Sequence, residues 1–260
     1  MSFVLLSAGG QHVCGLDRDG RAHCWGASMD GALGTGDTLA LTPRPVLGAA
    51  RYVDLAASER HTCAVRASGE VDCWGDNTFG QLGDGTTVAR PVPTMVRSAE
   101  RFTQVSVSSA TSCAVAQGGR AFCWGANGSF QLDVSDPALR LSTTPVRVAA
   151  AYTARAVGAG ANFGCVLTSD GEVACWGSAA VGARLGRGQQ ILVSECSPQY
   201  CDPRLVSGGR RYEALAVGSG HSCARGTDGA TYCWGRSILG GAGVGTGETD
   251  VWVPTRVAMP

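Results

Sequence analysis

The chain has 260 residues, 12 of them Cys, and its 21 basic residues balance 21 acidic ones, so the net charge is zero. All of the basic residues are Arg, which excludes a Schiff-base lysine or a phosphate-loop lysine, and the neutral balance excludes a general attraction for nucleic acid or anionic membranes. No apolar run reaches the roughly 18 residues of a membrane span, and the opening stretch from Met1 to Gly10 lacks the basic flank and full apolar run of an export signal.

In chain order, five repeats account for nearly everything. Cys-Trp-Gly occurs at Cys24, Cys73, Cys123, Cys175 and Cys233, and each copy follows a first Cys ten positions earlier, at Cys14, Cys63, Cys113, Cys165 and Cys223. The units run approximately over 3–48, 52–97, 102–148, 152–206 and 212–258. Each opens on short alternating apolar residues, as in Phe3-Val-Leu-Leu-Ser-Ala-Gly9, and most close on Pro-x-x-Val, as in Pro93 to Val96. The fourth copy is looser, with Pro203 followed by Leu205 and Val206. In the second copy the spacing predicts strands over 52–57, 61–66, 70–75 and 93–97. No stretch carries a capped 3.6-residue apolar period, so helix content should be near zero. Four short strands per unit of about 50 residues is the arithmetic of an all-β propeller in a single domain.

The cysteine spacing has a geometric meaning. Residues ten apart fall opposite each other in a hairpin with a three-residue loop. Those loops would be 18–20, 67–69, 117–119, 169–171 and 227–229, and the third position is Gly in every one. That is the residue a type I turn followed by a G1 bulge requires. The pairs would be non-hydrogen-bonded, the closer class, and so within disulfide reach. We therefore expect bridges Cys14–Cys24, Cys63–Cys73, Cys113–Cys123, Cys165–Cys175 and Cys223–Cys233. Zinc needs shorter knuckles than C-x9-C. The two left over, Cys196 and Cys201, lie in the insertion that lengthens the fourth repeat. A local bridge there would staple a protruding loop, and Cys196, Tyr200 and Cys201 are the candidate contact residues.

The unit from Ala57 to Thr86, with His61-Thr-Cys-Ala-Val, Gly69-Glu-Val-Asp-Cys-Trp-Gly and Gly80-Gln-Leu-Gly, resembles the regulator-of-chromosome-condensation repeat. The resemblance covers essentially the whole chain and implies a β-propeller, usually of seven blades. Five units would then close as a five-bladed ring or form an arc of a seven-bladed one, and the chain would be part of a longer one. Here Cys63 stands where the family has an apolar residue and Cys73 where it has a small polar one. Copy three departs from the pattern at Phe130-Gln-Leu-Asp. The resemblance implies only scaffold positions.

Groups with chemical potential are read against the repeat. His12, His61 and His221 share one position, held by Thr111 and Phe163 in the other copies, so a structural hydrogen bond within or between blades is expected. Trp25, Trp74, Trp124, Trp176 and Trp234 point away from the cysteines, and packing between blades is expected rather than a stacking platform. Trp252 lies outside the motif. Gly240 to Gly247 lacks a phosphate-loop lysine, Asp37 and Asp84 read as turn residues, and Glu70 and Glu172 share one hairpin position a blade or more apart. We therefore expect no catalytic residues, cofactor or metal. The expected role is a non-enzymatic binding module, extracellular, periplasmic or at a cell surface. A protein is the leading partner and a glycan the second, without nucleic acid or membrane insertion. The alternatives are an inhibitor of a secreted hydrolase or, by family analogy, a guanine-nucleotide exchange factor for a small GTPase.

Overall fold

The computed structural model describes the chain except for residues 1, 29, 133–137, 179–182, 189–195, 197–199, 238–239, 246–249 and 259–260. The first sheet holds β1 (Phe3–Ala8), β2 (His12–Asp17), β3 (Ala22–Ala27) and β4 (Leu39–Pro45); the second holds β5 (Tyr52–Ala57), β6 (His61–Arg66), β7 (Val71–Gly75) and β8 (Arg90–Met95). The third contains β9 (Phe102–Val107), β10 (Thr111–Ala116), β11 (Ala121–Ala126) and β12 (Leu141–Val148), and the fourth β13 (Ala154–Ala159), β14 (Phe163–Thr168), β15 (Val173–Ser178) and β16 (Tyr200–Leu205). In the fifth are β17 (Tyr212–Val217), β18 (His221–Gly226), β19 (Thr231–Arg236) and β20 (Asp250–Arg256). Every sheet is antiparallel with its strands in chain order, and the described residues contain no α-helix. The fourth strand of the second repeat begins three residues before the expected 93. Pro91 and Pro93 both fit there because an outermost strand leaves alternate N–H positions unused by the ladder.

The hairpin arithmetic sets the register. Cys63 lies opposite Cys73 and Val65 opposite Val71, with Gly69 left-handed at φ 92° and its N–H donating to the Arg66 carbonyl at 2.8 Å. The Cys63 and Cys73 Cα atoms are 4.1 Å apart, the separation of a non-hydrogen-bonded pair, and all five repeat pairs are bonded in this way. Each closes a short loop that the ladder already constrains, so the chain-entropy gain of about 3 kcal/mol is an upper bound. Converting Cys63 and Cys73 together to Ser should lower the urea midpoint by the equivalent of about 1–3 kcal/mol while leaving the strand content unchanged on circular dichroism. Loss of the fold would show that the bridge does more than brace a formed hairpin.

The core lies between sheets rather than within any one. The cysteine side of each sheet packs on the tryptophan side of the next, giving four apolar clusters among the described residues. In the first, Cys14, Leu16, Ala22, Leu33 and Val46 meet Tyr52, Leu55, Ala64 and Trp74 of the second sheet. Hydrogen bonds lock each joint. Trp74, Trp124, Trp176 and Trp234 donate Nε1–H to the carbonyls of Ala32, Gln81, Gln131 and Arg184 in the preceding sheet, at 2.8 to 3.1 Å. At the second joint the relay is longer. Ser58 Oγ–H donates to His61 Nδ1, His61 Nε2–H to Ser112 Oγ, and Ser112 Oγ–H to the Gln81 carbonyl, each at 2.8 Å. His12 Nε2–H reaches Thr62 Oγ1, which donates to the Ala32 carbonyl.

The outer faces of the end sheets are built differently. Leu6 is 61% exposed, whereas Leu55 at the same repeat position is 4% exposed. Trp25 is only half-buried and stacks on Phe3 at 5.4 Å. On the fifth sheet, Arg225 and Thr231 are exposed where the earlier sheets bury Leu16 and Ala22, Val65 and Val71, Val115 and Ala121, or Leu167 and Val173. The described residues thus form an arc of five sheets with four joints and no fifth apolar cluster between the first and last sheets.

Candidate functional site

One face of the arc gathers the long loops between third and fourth strands together with the tight turns between first and second strands. Local chemistry builds each long loop. Gly75, after Trp74, has φ 110°, and a Cβ there would lie 2.4 Å from the Arg60 carbonyl oxygen, so only Gly lets the loop leave the strand. Asn77 then acts as an internal staple. It is fully buried, its Oδ1 accepts from Leu82 N–H at 3.0 Å, and its Nδ2 donates to the Thr86 and Val88 carbonyls at 3.1 Å. Asn127 repeats this with Leu132 and Leu139, and Ser28 and Ser237 do half of it with Ala32 and Ala242. The staple aims a loop carbonyl at the next sheet's tryptophan, so face and joint are one construction.

Most of the groups singled out in the sequence are engaged in structure. His12 and His61 are buried at joints, and burial lowers their pKa values to about 4 and about 3. The tryptophans of the second to fifth repeats are wholly enclosed. Glu70 and Glu172 bridge hairpins to Arg101 and Arg211 of the following sheets, at 3.0 and 2.5 Å. Asp84 accepts from Thr86 and Arg90, which hold its carboxyl below the usual range against the effect of burial. Trp252 is partly buried in β20, and its carbonyl accepts from Gly188 N–H. Among the described residues no three His, Cys, Asp or Glu side chains come together as metal ligands, and no helix is long and apolar enough to cross a membrane.

The Cys196–Cys201 bridge is formed, and residues 197–199 between its ends lie outside the described residues. Tyr200 packs its ring on Phe130 with centroids 5.0 Å apart. Phe130 stands at φ 59°, where the equivalent Gly31, Gly80 and Gly240 lie at 83°, 78° and 78°. A bulky residue there costs about 1–2 kcal/mol, which the Tyr200 contact helps to offset. The departure at Phe130-Gln-Leu-Asp thus marks the spot where the third repeat's loop meets the fourth repeat's insertion. Elsewhere on this face Arg60 grips Asp30 through two bonds of 2.7 and 2.9 Å. At the centre, a cleft of about 430 Å³ is edged by Gly10, Glu59, Ser108, Ser109 and Ser219. Two further side chains, Arg184 and Arg236, line one cleft at the fourth joint and were not singled out in the sequence. Alignment of Arg184 with Gln81 and Gln131 was the available signal.

Models of the regulator of chromosome condensation (RCC1) repeat match residues 3–31, 52–81, 102–131 and 154–182, and a second such model matches 19–65 and 68–115. The chain belongs to the RCC1 repeat family. No curated protein matches it significantly. The RCC1 fold is shared with the crystal structure of human WBSCR16, at 23% identity and a TM-score of 0.85, over 99% of this chain and 67% of that one. Yeast RCC1 (Prp20), solved bound to Kap60, is similar at 21% identity and TM-score 0.66, over 99% of this chain and 75% of that one. The ectodomain of the Physcomitrella patens receptor kinase CR4 aligns at 18% identity and TM-score 0.57, over 90% and 52% of the two chains. The arc therefore superposes on part of a longer RCC1-type propeller in each case.

Proposed function

We propose that this RCC1-repeat chain is a non-catalytic protein-interaction module of an oxidising compartment: extracellular, periplasmic or at a cell surface. Its long-loop face is the contact surface, with the Cys196–Cys201 loop and Tyr200 on it. The observation that carries the reading is the use of every cysteine: all twelve are bonded and none is free. Reducing compartments do not maintain such bonds. The groups that could do chemistry are spent on joints, turns and inter-sheet ion pairs, which favours binding over catalysis. Related propellers fit the same role, since one was solved bound to Kap60 and another is a receptor kinase ectodomain.

Affinity capture from the native extracellular fraction tests this, with the wild-type chain compared against the double variant Cys196→Ser/Cys201→Ser. We expect a stoichiometric protein partner held by the wild type and weakened at least tenfold by the variant. Free thiols at Cys63 and Cys73 in material from the native source would overturn the compartment. Undiminished capture by the variant would remove the loop from the contact surface.

A further inference from the structure

The repeat provides its own controls for the charge at each joint. At the first joint the loop residue whose carbonyl accepts from the tryptophan is Ala32, and the residue after the Trp-Gly of the next sheet is Asp76. At the second and third joints the same two positions hold Gln81 with Ala126, and Gln131 with Ser178. Both glutamines fold back on their own loops, Gln81 Oε1 accepting from Phe79 N–H and Gln131 Oε1 from Ser129 N–H, each at 2.9 Å. At the fourth joint the two positions are Arg184 and Arg236.

These two side chains both approach Gly220. A Cβ placed on that glycine would be 3.8 Å from Arg184 Nε and 3.8 Å from Arg236 Cδ. Both line a cleft of about 400 Å³ that also includes Asn162, Ser219 and His221. Among the described residues neither guanidinium has a carboxylate within 4 Å or a side-chain hydrogen bond, unlike Arg60 with Asp30 or Arg90 with Asp84. Burial and the neighbouring Arg236 both hold the Arg184 pKa below its ordinary value, while Asp250, across the ladder from Arg236, acts in the opposite sense. Two like charges on one cleft, Arg184 half-buried and Arg236 exposed, is an arrangement that an anion relieves. The guanidinium fork matches the oxygens of carboxylate and phosphate groups.

We propose that the cleft between the fourth and fifth sheets is an oxyanion site, in which Arg184 and Arg236 bind one carboxylate or phosphate-type group and Asn162, Ser219 and His221 supply further polar contacts. The site stands independently of the proposed function, since a free anion and an acidic side chain of a partner present the same oxygens.

The test is a titration at constant ionic strength, following the arginine Nε–Hε signals by NMR with inorganic phosphate as one probe and hexaglutamate as the other. The variants Arg184→Gln and Arg236→Ser install the residues that other repeats carry at these positions, so they should fold. We expect saturable shifts at both arginines in the wild type and at least tenfold weaker binding in either variant. Tighter binding of hexaglutamate would assign the site to acidic protein segments, and tighter binding of phosphate to a phosphate-type group. Shifts that do not saturate, or that are equally strong in both variants, would reduce the effect to screening and overturn the site.

Discussion

Replacing Trp124 with Ala should lower the free energy of unfolding by about 3–5 kcal/mol, the cost of a fully enclosed aromatic and the cavity it leaves. That loss is a large part of the 5–15 kcal/mol that stabilises an ordinary domain. Trp124 is wholly buried between the second and third sheets, and its Nε1–H satisfies the Gln81 carbonyl, which also accepts from Ser112. The matched control is Trp25→Ala. Trp25 holds the same place in its repeat but is half-buried against Phe3, with no sheet packed on it among the described residues, so its loss from this chain should cost about 1 kcal/mol. Urea unfolding of both variants measures the difference. Equal losses would mean that the tryptophan side of the first sheet is covered in solution, contrary to the open arc.

Acid should destabilise the fold between pH 6.5 and pH 4. His12 and His61 stay neutral in the folded chain until about pH 4 and about pH 3, because burial disfavours the imidazolium. In the unfolded chain both take up a proton near pH 6.5. Below that pH the unfolded state holds more protons, so stability is complete above 6.5 and falls as pH drops toward the folded values. For His12 the shift corresponds to about 3 kcal/mol, and His61 adds a loss of the same order. Protonated His61 would also lose the acceptor that takes the Ser58 hydroxyl proton. The variant His61→Thr, which installs the residue found at 111, should be less stable than wild type at pH 7.5 yet lose less between pH 7.5 and pH 4.5. Urea midpoints at the two pH values decide it, and an unchanged pH dependence would remove His61 from the account.

What was legible in the sequence was whatever each repeat settles alone. The symmetry of Cys63 and Cys73 about a loop ending in Gly69 determines the register by itself, because hairpin geometry is local. Trp74, Trp124, Trp176 and Trp234, with His12 and His61, could be assigned to packing and hydrogen bonding because symmetry-related groups in separate sheets cannot share one substrate; His221 departs from this, half-buried on the cleft beside Arg184 and Arg236. Their partners were out of reach. Ala32, Gln81, Gln131 and Arg184 act through main-chain carbonyls, which leave no mark in a side-chain pattern. The pairing of Arg184 with Arg236 was hidden for a related reason, since it joins two loops of different repeats. The prolines of β8 concealed the start of that strand, because Pro reads as a breaker unless the strand is known to be outermost. Phe130 departs visibly from the repeat, but its contact with Tyr200 depends on an insertion some 70 residues later.

The joints also restrict the symmetry of any association through the end sheets. Every joint is unlike on its two sides, an indole N–H facing a loop carbonyl and an aromatic face meeting a disulfide face. The first sheet therefore presents a donor and the fifth an acceptor face, and the two cannot be exchanged by turning a partner around. A two-fold pair of chains joined through their first sheets would bring two donor faces together, with no loop carbonyl of the kind that answers the indole N–H at the other joints. A head-to-tail arrangement meets the bonding rule, and its joint would be heterologous, the kind that closes rings or continues as open assemblies rather than stopping at a dimer.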